Sequence, residues 1–182
     1  CNSLGALLRE LGDLTGARAA YERALAIEEA ALGRDHPQLA TAYNNLGSVL
    51  RELGDLVGAW SAYERALAID EATLGPEHPR VAIRVNNLGG VLQALGDLEG
   101  ARAAYERALA IREKSYGRQH PDTALTLWWL GVLEREVGNL PEARAYLEET
   151  LAVFKRFFPP QHKYIQLVQG HLETVANELH GR

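Results

Sequence analysis

Two pairs of asparagines, Asn44-Asn45 and Asn86-Asn87, stand 42 residues apart in the chain. A carboxamide donates and accepts hydrogen bonds at once, so paired amides suit the sequence-tolerant holding of an extended polypeptide backbone. The small residues Ser48 and Gly90 beside them let such a backbone approach closely. One further step of 42 replaces the amide pair by Trp128-Trp129, which changes the chemistry from hydrogen bonding to the anchoring of an apolar side chain. Arg9, Arg51 and Arg135 keep the same register, and guanidinium groups pair with carboxylates. His36, His78 and His120 also recur, but they fall in successive loops about 10 Å apart if helices pack normally, too far to converge as metal ligands. No phosphate loop ending in Gly-Lys-Ser/Thr, no His-Glu-x-x-His and no Gly-x-Ser-x-Gly is present. The expectation is therefore a protein without catalysis, metal or cofactor.

Composition narrows the partner. The 182 residues carry 19 basic and 24 acidic side chains, a net charge of −5, where a phosphate-backbone binder needs a basic face. No stretch approaches the ~18 consecutive apolar residues of a membrane span. Cys1 is the sole cysteine, which excludes a disulfide framework or a thiolate metal cluster within the chain. Neither nucleic acid nor membrane is an expected partner, and a cytoplasmic location is the expectation. Methionine is absent even at position 1, so the chain reads as a piece of a longer polypeptide.

The elements that carry these residues are set by a 42-residue repeat. Leu4-Gly5, Leu46-Gly47, Leu88-Gly89 and Leu130-Gly131 share one register with Gly12-Asp13, Gly54-Asp55, Gly96-Asp97 and Gly138-Asn139. Tyr21-Glu22-Arg23 recurs at Tyr63 and Tyr105, and His36-Pro37 recurs at His78 and His120. A fixed period of this size means a solenoid of stacked units. The units run from about 1 to 36, 37 to 78, 79 to 120 and 121 to 162, as one array. A last amphipathic helix follows over about 163–180, with Tyr164, Val168, Leu172, Val175 and Leu179 inward. The chain is expected to begin partway into a helix at Cys1, and the array to end at this cap.

Each unit reads as two helices. Tyr43, Leu46, Gly47 and Leu50 make one apolar stripe at 100° per residue. Gly54 ends that helix in a left-handed conformation and Asp55 caps the next, with Asn139 taking the same capping part in the fourth unit. The second helix spans roughly Leu56 to Leu74 and buries Ala59, Tyr63, Ala66, Leu67 and Leu74. Arg18–Glu22, Arg102–Glu106 and Arg144–Glu148 form i,i+4 pairs. Pro37, Pro79 and Pro121 sit in the first turn of the following helix. Glu134 stands where Leu8, Leu50 and Leu92 fill the stripe, so the helix of the fourth unit is expected to sit differently.

Tyr43-x2-Leu46-Gly47-x2-Leu50 followed by Ala59-x3-Tyr63 resembles the tetratricopeptide repeat, with Tyr43 and Leu50 where that motif favours Trp and Tyr. The 42-residue length, with Asn-Asn-Leu-Gly, Tyr-Glu-Arg-Ala-Leu-Ala-Ile and Leu-Gly-x-x-His-Pro, is similar to the kinesin-light-chain type of that repeat. The resemblance covers residues 1 to about 162. It implies an all-α, right-handed superhelical solenoid of antiparallel helix pairs whose first helices line a concave groove. Thr41, Asn44, Asn45, Ser48, Arg51 and Glu52 would line it in the second unit, with their equivalents around Asn86, Asn87 and Gly90 in the third and Trp128, Trp129 and Arg135 in the fourth.

The resemblance implies a peptide or partner protein segment in that groove, held by Asn44, Asn45, Asn86 and Asn87. Each candidate keeps a second reading. The asparagines could equally bond between neighbouring helices. One of the two tryptophans packs against the cap while the other lines the groove. The arginines, beside Glu10, Glu52 and Glu136, either meet a ligand, with Arg80 and Arg84 adding charge nearby, or build a ladder of ion pairs. The function expected is a non-catalytic interaction scaffold. The alternatives are a regulatory or sensor solenoid of a larger signalling protein or enzyme, and self-association through the open N-terminal end.

Overall fold

The computed structural model describes residues 2–181, so the placement of Cys1 within a helix lies outside the described residues. Packing divides the chain into two compact units, one up to Gly96 and one from Asp97. Every described element is helical. The first unit holds α1 (Asn2–Glu10), α2 (Leu14–Leu32), α3 (Leu39–Glu52), α4 (Leu56–Leu74) and α5 (Pro79–Ala94). The second holds α6 (Leu98–Tyr116), α7 (Pro121–Val137), α8 (Leu140–Phe157) and α9 (Lys163–His180).

In each unit, helices adjacent in sequence pack on one another: α1 to α5 in series in the first, α6 to α9 in series in the second. Three residues separate α3 from α4, which forces them antiparallel. Gly54 makes this reversal at φ +83°, a conformation that a side chain would strain, while its N–H reaches back to the Arg51 carbonyl. Asp55 Oδ1 then accepts from the Gly58 N–H, and Asp13 and Asp97 do the same for Gly16 and Gly100.

The motif glycines admit the tyrosines. A Cβ on Gly47 would lie 2.8 Å from the Tyr63 ring, and one on Gly5 2.7 Å from Tyr21. Close helix approach at these glycines buries Tyr21 and Tyr63, as it buries Leu147 beside Gly131 in the fourth copy. Around Tyr21 and Tyr63 a single core joins Ala17, Leu25, Leu46, Val49, Ile69 and Leu88. In the second unit α9 closes a separate core through Ile165, Val168 and Val175 against Leu147 and Phe154. Its outward residues Lys163, Gln166, Gln169, Glu173 and Asn177 are exposed, as a capping helix requires.

Four local expectations are corrected. Leu74 is exposed, because the nineteen residues of α4 outrun the fourteen of α3 by about 7 Å at ~1.5 Å per residue; Ile69 and Asp70 are buried instead. Pro37 lies in a turn before α3 rather than in its first turn, since Leu39 and Ala40 bond to the carbonyls of His36 and Pro37 in an i+3 pattern. Asn139 has the cap backbone but makes no side-chain cap. A Cβ at the position of Gly16, Gly58 or Gly100 would collide with the capping carboxylate, and Glu142 brings such a Cβ to the fourth copy. Asn139 instead donates to Glu134 and Glu142. Arg102 turns to Glu134 of α7, whereas the pairs Arg18–Glu22 and Arg144–Glu148 form at 2.7 Å.

Candidate functional site

The first helices of the first unit, α1, α3 and α5, are stitched by polar contacts offset by 43 residues. Arg9 Nε donates to Glu52 Oε1 at 3.0 Å, and Asn87 Nδ2 donates to Asn44 Oδ1 at 2.8 Å. The bond to Glu52 raises the Arg9 pKa above its ordinary value. For these residues the second reading of the sequence is the one seen: an ion pair joins Arg9 to Glu52, and two of the asparagines bond to each other between neighbouring helices.

The ladder breaks at Arg51. Its counterpart 43 residues on is Ala94, which offers no acceptor, and Arg51 has no side-chain partner among the described residues. Asn45, half-buried, lines a cavity of about 330 Å³ with Ala6, Arg9, Glu10, Tyr21 and Glu52. Asn86 Oδ1 is buried without a hydrogen-bond partner. Ser48 Oγ donates to the Asn44 carbonyl and meets the Tyr63 hydroxyl at 3.0 Å, so the small side chain also fixes the buried tyrosine. Gly90 is half-buried on α5.

In the second unit α7 carries the tryptophans. Trp128 packs among Phe154, Tyr164 and His171, against α8 and the cap helix α9. Trp129 is 36% exposed and stacks on Trp128 with ring centroids 6.0 Å apart, and on Tyr105 at 6.5 Å. Arg135 Nε reaches Glu178 Oε1 at 3.0 Å, the same 43-residue offset as Arg9 and Glu52. Glu134, fully buried, is held by Arg102 and by Asn139 Nδ2. Its place in the apolar stripe is tolerated because both partners satisfy the charge.

Arg80 and Arg84 both meet Asp70, a residue outside the expected set, and Arg80 also donates to Thr41 Oγ1 at 3.3 Å. Asp70, wholly buried, takes Arg84 Nε at 2.8 Å and Arg80 Nη2 at 3.2 Å. Burial lowers the pKa of Arg84 despite its partner. A charged residue in the apolar stripe of α4 was the available signal. The histidines serve the backbone: Nδ1 of His78 and His120 accepts the N–H two residues on at 3.1 Å, and His36 and His162 do so at 3.3 Å. Each thereby caps or pre-orders a helix start.

No curated protein matches the sequence. Among solved structures, BtubC (BKLC) from P. vanneervenii is similar at TM-score 0.82 and 26% identity, over 96% of this chain and 69% of that one. A Podosopora anserina protein with nearly identical TPR-like repeats of kinesin-light-chain type matches at TM-score 0.82 and 23% identity, over 100% of this chain and 85% of its own. The apo form of RapI matches at TM-score 0.80 and 18% identity, over 97% and 62% respectively. These likenesses show an all-α helical-repeat solenoid. The tetratricopeptide repeat model matches residues 1–72 and 81–156, over the same glycine, tyrosine and asparagine register that builds the helix pairs, and the chain belongs to the tetratricopeptide repeat family.

Proposed function

We propose that the chain is a non-catalytic scaffold that holds an extended segment of a partner protein across its first helices. Protein–protein interaction is the general work of this family. In the first unit the bound segment lies over α3 and α5. The Asn44–Asn87 bond uses one acceptor and one donor, which leaves the Asn44 NH2 group and the Asn87 carbonyl for a ligand backbone. Asn45 and Asn86 offer further amides, Ser48 and Gly90 leave room, and Arg51 receives a carboxylate. In the second unit Trp129 takes an apolar side chain, while Arg135 engages a ligand only by giving up Glu178.

The observation that carries this reading is the unpaired Arg51. Its equivalents Arg9 and Arg135 are both consumed by the chain's own glutamates, and Arg51 is left open on the asparagine face. A charge-assisted bond to a ligand carboxylate is worth about 1.5–3 kcal/mol, at least tenfold in affinity. The test is a displayed random-peptide library selected on the whole chain. Selected peptides should be enriched in Asp or Glu, and Arg51→Ala should weaken their binding about tenfold with the melting temperature unchanged. Undiminished binding to Arg51→Ala would place the ligand elsewhere.

A further inference from the structure

Each later repeat finds a partner for the position that Glu28 occupies in the first. Its equivalents are Asp70, Arg112 and Phe154. Asp70 meets Arg84 and Arg80, Arg112 donates to Thr126 Oγ1 and to the Asp122 carbonyl, and Phe154 shares an apolar core with Val168. In every case the partner stands on the helix that follows. The first repeat has Ala42 at the place of Arg84 and Gln38 at the place of Arg80. Ala42 is fully buried and its methyl offers no donor, while the exposed Gln38 side chain has no partner among the described residues.

Glu28 is thereby left unpaired among the described residues, and its Oε2 is buried with no hydrogen-bond donor. A buried acceptor without a donor is costly, the more so when it carries charge. Room for the missing donor exists. Glu28 lines a cavity of about 390 Å³ with Pro37, Gln38, Thr41 and Arg80. Pro37, Gln38 and Thr41 are exposed, so the cavity opens to solvent on their side. The cations nearby are already taken: Arg80 is engaged by Asp70 and Thr41 Oγ1, and Arg65 by Asp35. Glu29, next in sequence, accepts from the Tyr43 hydroxyl, which leaves Glu28 as the open carboxylate of this corner.

We infer that Glu28 is the recognition carboxylate of a subsite for an external guanidinium group, carried by an arginine of a bound protein segment. The group supplies to Glu28 what Arg84 supplies to Asp70 one repeat on. A guanidinium suits the place because its planar fork of N–H donors matches the two oxygens of a carboxylate. The open mouth at Gln38 and Thr41 admits a side chain whose own backbone stays outside. The subsite lies between α2, α3 and α5, and it does not depend on what the asparagine face binds.

The probe is N-acetyl-argininamide, titrated into the whole 15N-labelled chain with the backbone signals of Gln38 and Thr41 as readout. Saturable shifts are expected there. N-acetyl-citrullinamide, of the same shape without the charge, should bind at least about tenfold more weakly. Glu28→Gln should weaken the arginine probe by a similar factor with no fall in melting temperature, since it removes an unpaired charge. Gln38→Arg copies Arg80 onto an exposed position, keeps Glu28 and supplies the cation from within, so it should displace the probe as well. A glycine-serine peptide with one central arginine should bind no more weakly than the single residue. Absence of saturable shifts, equal binding of the two probes, or unchanged binding to either variant would overturn the inference. Rejection of the peptide where the single residue binds would overturn the assignment to a protein segment and give the subsite to a free guanidino compound.

Discussion

Arg84 Nε lies 2.8 Å from Asp70 Oδ2, with both side chains buried between α4 and α5. The same two positions, 14 residues apart, carry Arg112 and Thr126 in the next copy, where Arg112 Nη1 donates to Thr126 Oγ1 at 2.7 Å. In the last copy they are Phe154 and Val168, in the apolar core under α9. In these three copies one packing position thus accommodates an ion pair, a polar pair or hydrocarbon. A single change breaks that compensation. Asp70→Ala strands a buried guanidinium and should cost about 3 kcal/mol or more in urea denaturation. The double variant Asp70→Phe with Arg84→Val, copying the last pair, should recover most of the loss. Equal losses for the single and double variants would show that the pair is not coupled.

Glycines in the two kinds of helix should respond oppositely to alanine. A Cβ at Gly47 meets Tyr63 at 2.8 Å, and Tyr63 is enclosed, so Gly47→Ala should destabilise by about 1–3 kcal/mol. Gly170 on α9 is exposed, and a Cβ added there would meet nothing within 4 Å, so Gly170→Ala should stabilise by about 0.5–1 kcal/mol. Thermal melts of the two variants check both signs.

The second unit should lose stability in mild acid through His171. Burial against the Trp128 ring, 5.8 Å away between centroids, lowers its pKa below the ordinary 6.5, and the charge of Arg135 adds to the effect. The folded chain therefore favours the neutral imidazole. Its contribution is complete above about pH 6.5 and is lost as pH falls through the lowered folded value. Calorimetric melts between about pH 7.5 and 5 should fall more steeply for the parent than for His171→Phe. Parallel slopes would show that His171 carries none of the acid sensitivity.

Much of the architecture was legible because the repeat multiplies weak local signals. The Leu-Gly, Gly-Asp and Tyr positions each mark one structural need, and Leu56–Leu74 could be delimited to the residue because Asp55 and Gly75 bound it. The departures came where one copy differs by a partner distant in sequence. Asn139 looks like a cap until Glu142 replaces the glycine that the cap needs. Arg80 and Arg84 look like free charge until Asp70 is seen beneath them. The candidate face was legible in part: periodicity placed Asn44 and Asn87 on facing helices, but only the folded chain pairs them with each other and leaves Arg51 unmatched opposite Ala94.

The central claim, that the α3–α5 face holds a partner segment, is tested most directly by 1H–15N spectra of the labelled chain titrated with a library-selected peptide. The account predicts shifts in the side-chain amides of Asn45 and Asn86 and in the backbone of Ser48 and Arg51, with the exposed outer surface of α4 at Val57 and Trp60 unmoved. Shifts gathered at Val57 and Trp60, with Asn45 and Arg51 silent, would contradict it.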